Sequence, residues 1–256
     1  AAAAAGRRHA ALAACVSVPM SQASRGGPAP EVVPWNRCLD QPTAWYRSAD
    51  AIRIADNVVL YQRKTGGWPK NIDMAQVLDA TARARVDADT ADTDSTIDNG
   101  ATTTQLRFLA RAYAATSDER FRASFFAGLD YLFGAQYPNG GWPQYYPLRG
   151  DYSRHITFND NAMINVMELL RDVAGAKKPF AFVDAGRRTR AGAAVARGIA
   201  VILAAQVKVG GRLTAWCAQH DAGTLEPRMA RAYEHPSLSG KESVEIVRFL
   251  MQGEKP

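Results

Sequence analysis

Aspartate, asparagine, lysine and arginine carry most of the chemistry this sequence offers, and they fall in three polar stretches. The first runs Gly66-Gly67-Trp68-Pro69-Lys70-Asn71 and, after an acidic passage from Asp87 to Asp94, Thr96-Ile97-Asp98-Asn99-Gly100. The second leads from Asn139 through Trp142, Gln144 and Arg149 to Arg154-His155 and then Asn159-Asp160-Asn161. The third holds Trp216, Gln219-His220-Asp221, Arg228, Arg231, Glu234-His235 and Lys241-Glu242. Asp98 and Asp160 stand in like positions of the first two stretches, each beside an asparagine and each ahead of a helical run. Two readings of them stay open. Asp and Asn are preferred helix N-caps, and carboxylate and amide oxygens are also the donors that calcium takes six to eight at a time. The Asp87 to Asp94 run lacks the glycine and closing glutamate of a helix-loop-helix calcium loop, so it is expected to be a solvated or lid loop. Trp68 and Trp142 are amphipathic rings, which in such loops are more often anchors packed on the barrel than sugar platforms.

Other chemistries are excluded by what the sequence lacks. His155, His220 and His235 are far apart, with no His-Glu-x-x-His or Cys-x-x-Cys, which argues against zinc. There is no Gly-x-Ser-x-Gly elbow, no phosphate-binding loop and no dinucleotide fingerprint. The net charge of +6 concentrates anions around the protein. Long basic runs of the nucleic-acid kind are missing, and the Arg187-Arg188-Thr189-Arg190 cluster reads as the solvated start of a helix. No stretch reaches the roughly 20 apolar residues that cross a bilayer. The charge favours a polyanionic partner, a membrane surface or an acidic polysaccharide without choosing among them. The missing basic runs and apolar span point away from nucleic acid and from a membrane-spanning segment.

The elements that position these stretches are helical. Apolar residues recur at helical spacing over 51–61 and 102–113, where Leu106, Leu109, Ala110 and Tyr113 share a face. Further helices are expected over 118–136, opened by the cap-like Ser117-Asp118-Glu119, and over 161–173, 191–207 and 241–252. A repeat underlies them. Gln62-x-x-x-Gly66-Gly67-Trp68 recurs as Gln136-x-x-x-Gly140-Gly141-Trp142 and as Gln206-x-x-x-Gly210-Gly211-Arg212. Each copy ends a helix at the Gln and turns on glycine, which a helix C-terminus commonly needs. Repeated helix pairs imply an all-α (α/α)3 barrel or toroid, three pairs with their long loops clustered at one end. Sites usually sit on loops held by such a scaffold.

Residues 1–40 read as an N-terminal leader or irregular segment, and residues 41–256 as the barrel. Arg7-Arg8, an apolar stretch to Met20 and then Ser21-Gln22-Ala23 have the order of a signal peptide, so a secreted, monomeric protein is expected. If Cys15 belongs to that leader, Cys38 and Cys217 either pair in an oxidising compartment or stay as buried thiols.

Several motifs carry a resemblance. Gly-Gly-Trp-Pro-Lys-Asn (66–71), Thr-Ile-Asp-Asn-Gly-Ala-Thr (96–102) and Tyr-Pro-Asn-Gly-Gly-Trp-Pro-Gln (137–144) are similar to the family 10 polysaccharide lyases, which are pectate lyases. So are His-Ile-Thr-Phe-Asn-Asp (155–160), Ala-Trp-Cys-Ala-Gln-His-Asp (215–221) and Tyr-Glu-His-Pro-Ser-Leu-Ser-Gly-Lys-Glu-Ser (233–243). The resemblance implies an (α/α)3 barrel and calcium-assisted β-elimination of polygalacturonate. It implies that Asp98 and Asp160 lie by the calcium, and that Lys70, Asn71, Trp142 and Lys241 bind substrate. The family's proposed base is an arginine in a segment beyond the last helix here, so the base is expected C-terminal to Pro256, with the C-terminal part of the barrel missing. Arg154 and Asn161 stand where the family often has acidic residues, which would weaken one metal contact. The alternatives are a non-catalytic protein that binds acidic polysaccharide and a terpene cyclase or prenyltransferase-like toroid.

Overall fold

The computed structural model describes residues 33–253, so the signal-peptide reading and Cys15 lie outside the described residues. Seven helices carry the fold: α1 (Ala49–Leu60), α2 (Ala80–Ala88), α3 (Thr103–Thr116), α4 (Glu119–Ala135), α5 (Ala162–Ala174), α6 (Ala185–Ala204) and α7 (Gly240–Met251). Among the described residues strand is confined to two-residue pieces, with β1 (Ile156–Thr157) against β4 (Gln219–His220) and β2 (Lys208–Val209) against β3 (Arg212–Leu213), both antiparallel.

Six of the helices are the expected three pairs. Long loops join α1 to α3, α4 to α5 and α6 to α7, while short connections join α3 to α4 and α5 to α6. α3 packs on α1, α4 and α5, and α5 packs on α3, α6 and α7, so α3, α5 and α7 form the inner layer and α1, α4 and α6 the outer. Burial follows that layering. α5 buries Met163, Ile164, Val166, Met167, Leu169, Leu170 and Val173, which is most of its circumference. α3 buries Leu106, Leu109 and Ala110 on the expected face. Ser48, Asp118 and Asp184 cap α1, α4 and α6 by accepting from Ala51, Arg120 and Arg187 backbone N–H groups. The Asp184 cap starts α6 six residues before the sequence expectation, because the polar opening Ala-Gly-Arg-Arg-Thr-Arg shows no apolar stripe. α2 was not expected at all. It buries only Val86, so it has no apolar period to read. It takes up part of the Asp87 to Asp94 run, whose last member, Asp94, is gripped by Arg63 at 2.7 and 3.0 Å.

Residues 33–40, read from the sequence as the end of a leader, pack on α3. Trp35 and Tyr46 lie with ring centroids 5.3 and 5.6 Å from Phe108, and the Tyr46 hydroxyl donates to Cys38 O at 2.7 Å. Cys38 and Cys217 are both buried thiols without a disulfide. Burial, with the charges of Asp50 and Asp73, pushes the Cys38 thiol up to about 12.

The repeat has a physical basis. The last carbonyls of a helix lack intrahelical donors, and in each outer helix an indole supplies one. Trp68 Nε1 donates to Val58 O at 2.6 Å, Trp142 Nε1 to Leu132 O at 2.8 Å, and Trp216 Nε1 to Ile202 O at 2.7 Å. Each loop also grips the next outer helix. Gln62 Nε2 donates to Gly66 O and to Ser124 O of α4, and Gln136 Nε2 to Gly140 O and to Ala194 O of α6. The grip brings backbone onto backbone. A Cβ on Gly66 would meet Ala127 O at 2.4 Å, and one on Gly140 would meet Arg197 O at 2.3 Å. The third copy departs: Gln206 Nε2 donates to Thr214 O, and the β2–β3 hairpin pushes the indole position back to Trp216. Arg212, aligned by sequence with the two tryptophans, is an exposed hairpin residue.

Candidate functional site

A cleft of about 560 Å³ opens at the loop end and is lined from all three long loops. Equivalent hydrogen bonds hold those loops in register: Thr96 N, Thr157 N and Ser239 N donate to Trp68 O, Trp142 O and Trp216 O at 3.0, 3.1 and 2.8 Å. The loops are also tied to one another, since Ile97 N donates to Gln144 O at 3.1 Å and Phe158 N to Ala218 O at 2.9 Å. Lys70 and Gln144, each two residues past its tryptophan, are thereby like positions that face one cleft.

Both aspartates line this cleft, but they are not like positions. Counting from Thr96 and Thr157, Asp98 corresponds to Asn159 and Asn99 to Asp160. The backbone agrees, because Asn99 and Asp160 are the residues at φ 50° and 51° within matching 3-10 turns. Asn and Asp tolerate that left-handed conformation better than other side chains with a Cβ. Alignment on the acid had hidden a one-residue shift. Its consequence is burial: the Asp98 side chain is 5% exposed and that of Asp160 45%. Neither acts as a helix cap. The N-cap positions of α3 and α5 are Thr102 and Asn161, without side-chain capping bonds. The capping reading is removed.

Each carboxylate faces a lysine. Lys70 makes a short hydrogen-bonded ion pair with Asp98, while Asp98 Oδ1 accepts from Asn99 N at 3.0 Å. Burial works to depress the Lys70 ammonium, but the hydrogen bond and charge of Asp98 outweigh it and hold the group above its ordinary range. Lys241, on the first turn of α7, brings Nζ to 4.0 Å from Asp160 Oδ1. Glu242, next to it, accepts from Asp160 N at 3.3 Å. Asn71 is exposed, at φ 62°, and accepts from Asn99 Nδ2 at 2.9 Å in a small hollow beside the cleft. Trp142 is corrected: it is wholly buried, anchors its loop through Leu132 O, and offers no face to a sugar.

The third loop adds what sequence reasoning did not assign. Arg228, Arg231 and Tyr233 stand in the cleft wall, with Tyr152 from the second loop. Arg228 Nε donates to Asp221 Oδ2 at 3.1 Å. Hydrogen bonds from the Thr224 and Gly223 backbone, then from Arg228, bring Asp221 down to about 2. Arg231 Nε donates to Glu234 Oε2 at 2.9 Å, and that hydrogen bond and charge raise the guanidinium above its ordinary range. The available signal was two arginines and an aromatic spaced closely in a polar loop without helical period.

Calcium is the cation the resemblance implies. The donors around Asp98 and Asp160 are all hard oxygens, as calcium prefers, and Asn161 Oδ1 is a buried carbonyl oxygen without a partner. Among the described residues no group of three or more His, Cys, Asp or Glu is assembled, and both carboxylates already face ammonium groups. Asp98 and Asp160, with the amides beside them, offer oxygens of the kind calcium takes, and among the described residues they do not make a complete shell.

Two solved structures resemble this chain. An Asp-to-Ala mutant of family 10 polysaccharide lyase from Cellvibrio cellulosa, in complex with trigalacturonic acid, is 39% identical with a TM-score of 0.74 over 84% of this chain and 65% of that one. A second structure of family 10 polysaccharide lyase from Cellvibrio cellulosa is 38% identical with a TM-score of 0.74, over 87% of this chain and 64% of that one. The chain thus spans 65% and 64% of the lengths of these two proteins. No curated protein matches it. Residues 62–256 match the pectic acid lyase family, three-quarters of the sequence, and the chain belongs to that family.

Proposed function

We propose that this chain carries the substrate cleft of a pectate lyase, which binds polygalacturonate and cleaves it by β-elimination. The observation that carries the reading is the cleft itself, where Lys70, Arg228 and Arg231 bring cationic groups from two loops around Asp98 and Asp160. A terpene cyclase needs an apolar chamber, and this one is walled by charges and amides.

In the reaction proposed, the C5 proton passes to a base, its electron pair forms the C4–C5 double bond, and the C4–O bond breaks. The leaving oxygen takes a proton from solvent. The hard part is the negative charge that develops on the uronate carboxylate as C5 loses its proton. Lys70, which lines the cleft, and Lys241, which lies outside its lining but 4.0 Å from Asp160, would orient that carboxylate and stabilise its charge. Calcium, when bound by Asp160 and Asp98 with Asn159 and Asn99 beside them, would supply further charge neutralisation at the same carboxylate. The resemblance gives the base to an arginine expected beyond Pro256, and Arg228 and Arg231 of this cleft are read as cationic groups that hold the anionic sugar. Glu234 keeps Arg231 protonated in the absence of substrate, which suits this guanidinium to binding an anion. The proposal extends to export from the cytoplasm and action as a monomer. Among the described residues, no helix is long and apolar enough to cross a membrane.

The test is to mix the protein with polygalacturonate and calcium at alkaline pH and to follow the absorbance of the unsaturated product. Asp160→Ala should abolish or greatly slow product formation with thermal stability within about 0.5 kcal/mol of wild type, because the side chain is 45% exposed. Binding of oligogalacturonate without product would support instead the non-catalytic reading; absence of both sinks the proposal.

A further inference from the structure

The stretch between Gln144 and Ser153 leaves the cleft wall and returns to it. Gln144 N donates to Ser153 O at 2.9 Å across its base, and Gln144 and Tyr152 both line the cleft. Tyr146 N donates to Ser95 O at 3.3 Å, which fixes the excursion to the first loop. Arg149 lies on it, half-buried, with its guanidinium carbon 3.6 Å from the centroid of the Tyr145 ring. Lys70 Nζ, from the cleft lining, stands 5.8 Å from the same centroid. The Tyr145 ring carries the cationic wall of the cleft outward from Lys70 to Arg149.

Three other arginines stack at comparable range, Arg171 on Phe249, Arg187 on Phe126 and Arg190 on Phe133, at 4.3, 4.3 and 4.4 Å. Each also has a polar partner: Phe249 O and Gln252 for Arg171, Asp184 and Asp130 for Arg187, and Asp130 for Arg190. The cleft cations Lys70, Arg228 and Arg231 face Asp98, Asp221 and Glu234. Arg149 alone of these has neither an ion pair nor a side-chain hydrogen bond among the described residues. Asp151, two residues on, turns Oδ1 to Ser153 N and Oγ instead. Stacking covers a face of the guanidinium and leaves its in-plane N–H donors in the fork that fits a carboxylate. A positioned cation without an acid, at the edge of a cleft that takes a polyanion, calls for a carboxylate of the ligand. We infer that Arg149, held on Tyr145, forms a further subsite that binds the carboxylate of a galacturonate unit beyond the one at Lys70. This rests on the reading of the cleft as a polygalacturonate site. Arg149 makes no ion pair with Asp98 or Asp160, so it holds the chain and takes no part in the bond changes.

The experiment is calorimetric titration at pH 6, below the alkaline range of the elimination, with hexagalacturonate and calcium. Arg149→Gln should bind about 5- to 20-fold more weakly than wild type, between the loss of an exposed ion pair and that of a charged hydrogen bond. Arg149→Lys keeps the charge without the flat face or the fork, and should bind about 2- to 5-fold more weakly. Arg190→Gln removes the same charge from a like stack on α6, away from the cleft lining, and should bind within about 2-fold of wild type. Arg149→Gln binding as wild type overturns the inference while the substrate reading stands. So does Arg149→Lys binding as wild type, or an Arg190→Gln loss as large as that of Arg149→Gln, since either leaves only net charge at work. Failure of wild type to bind hexagalacturonate at all removes the substrate reading, and the inference falls with it.

Discussion

Replacing Lys70 with methionine should destabilise the protein more than replacing its partner Asp98 with asparagine. The two side chains are unequally buried, 30% exposed for Lys70 and 5% for Asp98. Lys70→Met strands a carboxylate that water barely reaches. Removing one partner of a fully buried pair costs about 3–5 kcal/mol. Here Asp98 Oδ1 keeps the Asn99 N–H at 3.0 Å and the cleft is open on one side, so about 2–3 kcal/mol is expected. Asp98→Asn leaves an ammonium that solvent can take up, and the loss should be about 1 kcal/mol. The double variant should recover most of the difference, because no charge remains stranded. Urea titration of the four proteins at neutral pH reads these values directly. Calcium at millimolar concentration should raise the stability of Lys70→Met more than that of Asp98→Asn, since only the first keeps the carboxylate. The pH dependence adds a sign. Folding holds Lys70 above its unfolded value of about 10.4. The contribution of the pair is thus complete below that pH and is lost as pH rises through the folded value. The gap between wild type and Asp98→Asn should therefore close above about pH 10.5. An Asp98→Asn cost equal to or larger than that of Lys70→Met would refute the assignment of Asp98 as the desolvated partner.

Two further outcomes follow from other parts of the structure. Gly140→Ala, at φ +106° with its new Cβ 2.3 Å from Arg197 O, should cost at least about 3 kcal/mol. Gly210→Ala, at the matching motif position with φ +57° and nothing within 4 Å, should cost about 1 kcal/mol; equal losses in thermal unfolding would disprove the interhelical grip. Asp221→Asn should remove about 1–2 kcal/mol at neutral pH, because folding depresses this carboxyl to about 2. That gap should be constant above about pH 5, shrink as pH falls through the unfolded value, and vanish only below about pH 2, where the folded carboxyl is protonated too. The same variant should raise KM for polygalacturonate by freeing Arg228, and a KM unchanged beside the stability loss would separate Asp221 from substrate binding.

The helix pairs and the end at which their loops gather were legible, because Gln-x-x-x-Gly-Gly states a local need that recurs wherever an outer helix ends. What escaped was the register within each loop. Tryptophan looked absent from the third copy because the hairpin moves it to position 216, and only the bond from its indole to Ile202 O identifies it. Asp98 and Asp160 looked equivalent because an acid beside an amide reads the same in either order, while the backbone distinguishes the left-handed residue from its neighbour. Trp142 looked available to a sugar because burial of a loop residue depends on contacts from α4 and α6, far away in sequence. These misreadings have one origin. Repetition fixes the scaffold, and the site is made of the positions at which the repeats disagree. Past each tryptophan stand Lys70, Gln144 and Ala218, a cation, an amide and a methyl group at one backbone position. Before the inner helices stand Asp98 and Asn159, a charge and its neutral isostere. Three identical loops would surround a bound molecule with like groups and could not tell one of its ends from the other. A pseudo-symmetric frame with unlike side chains instead presents a cation, an amide and a methyl group from equivalent backbone positions, so each loop meets the cleft with a different chemistry.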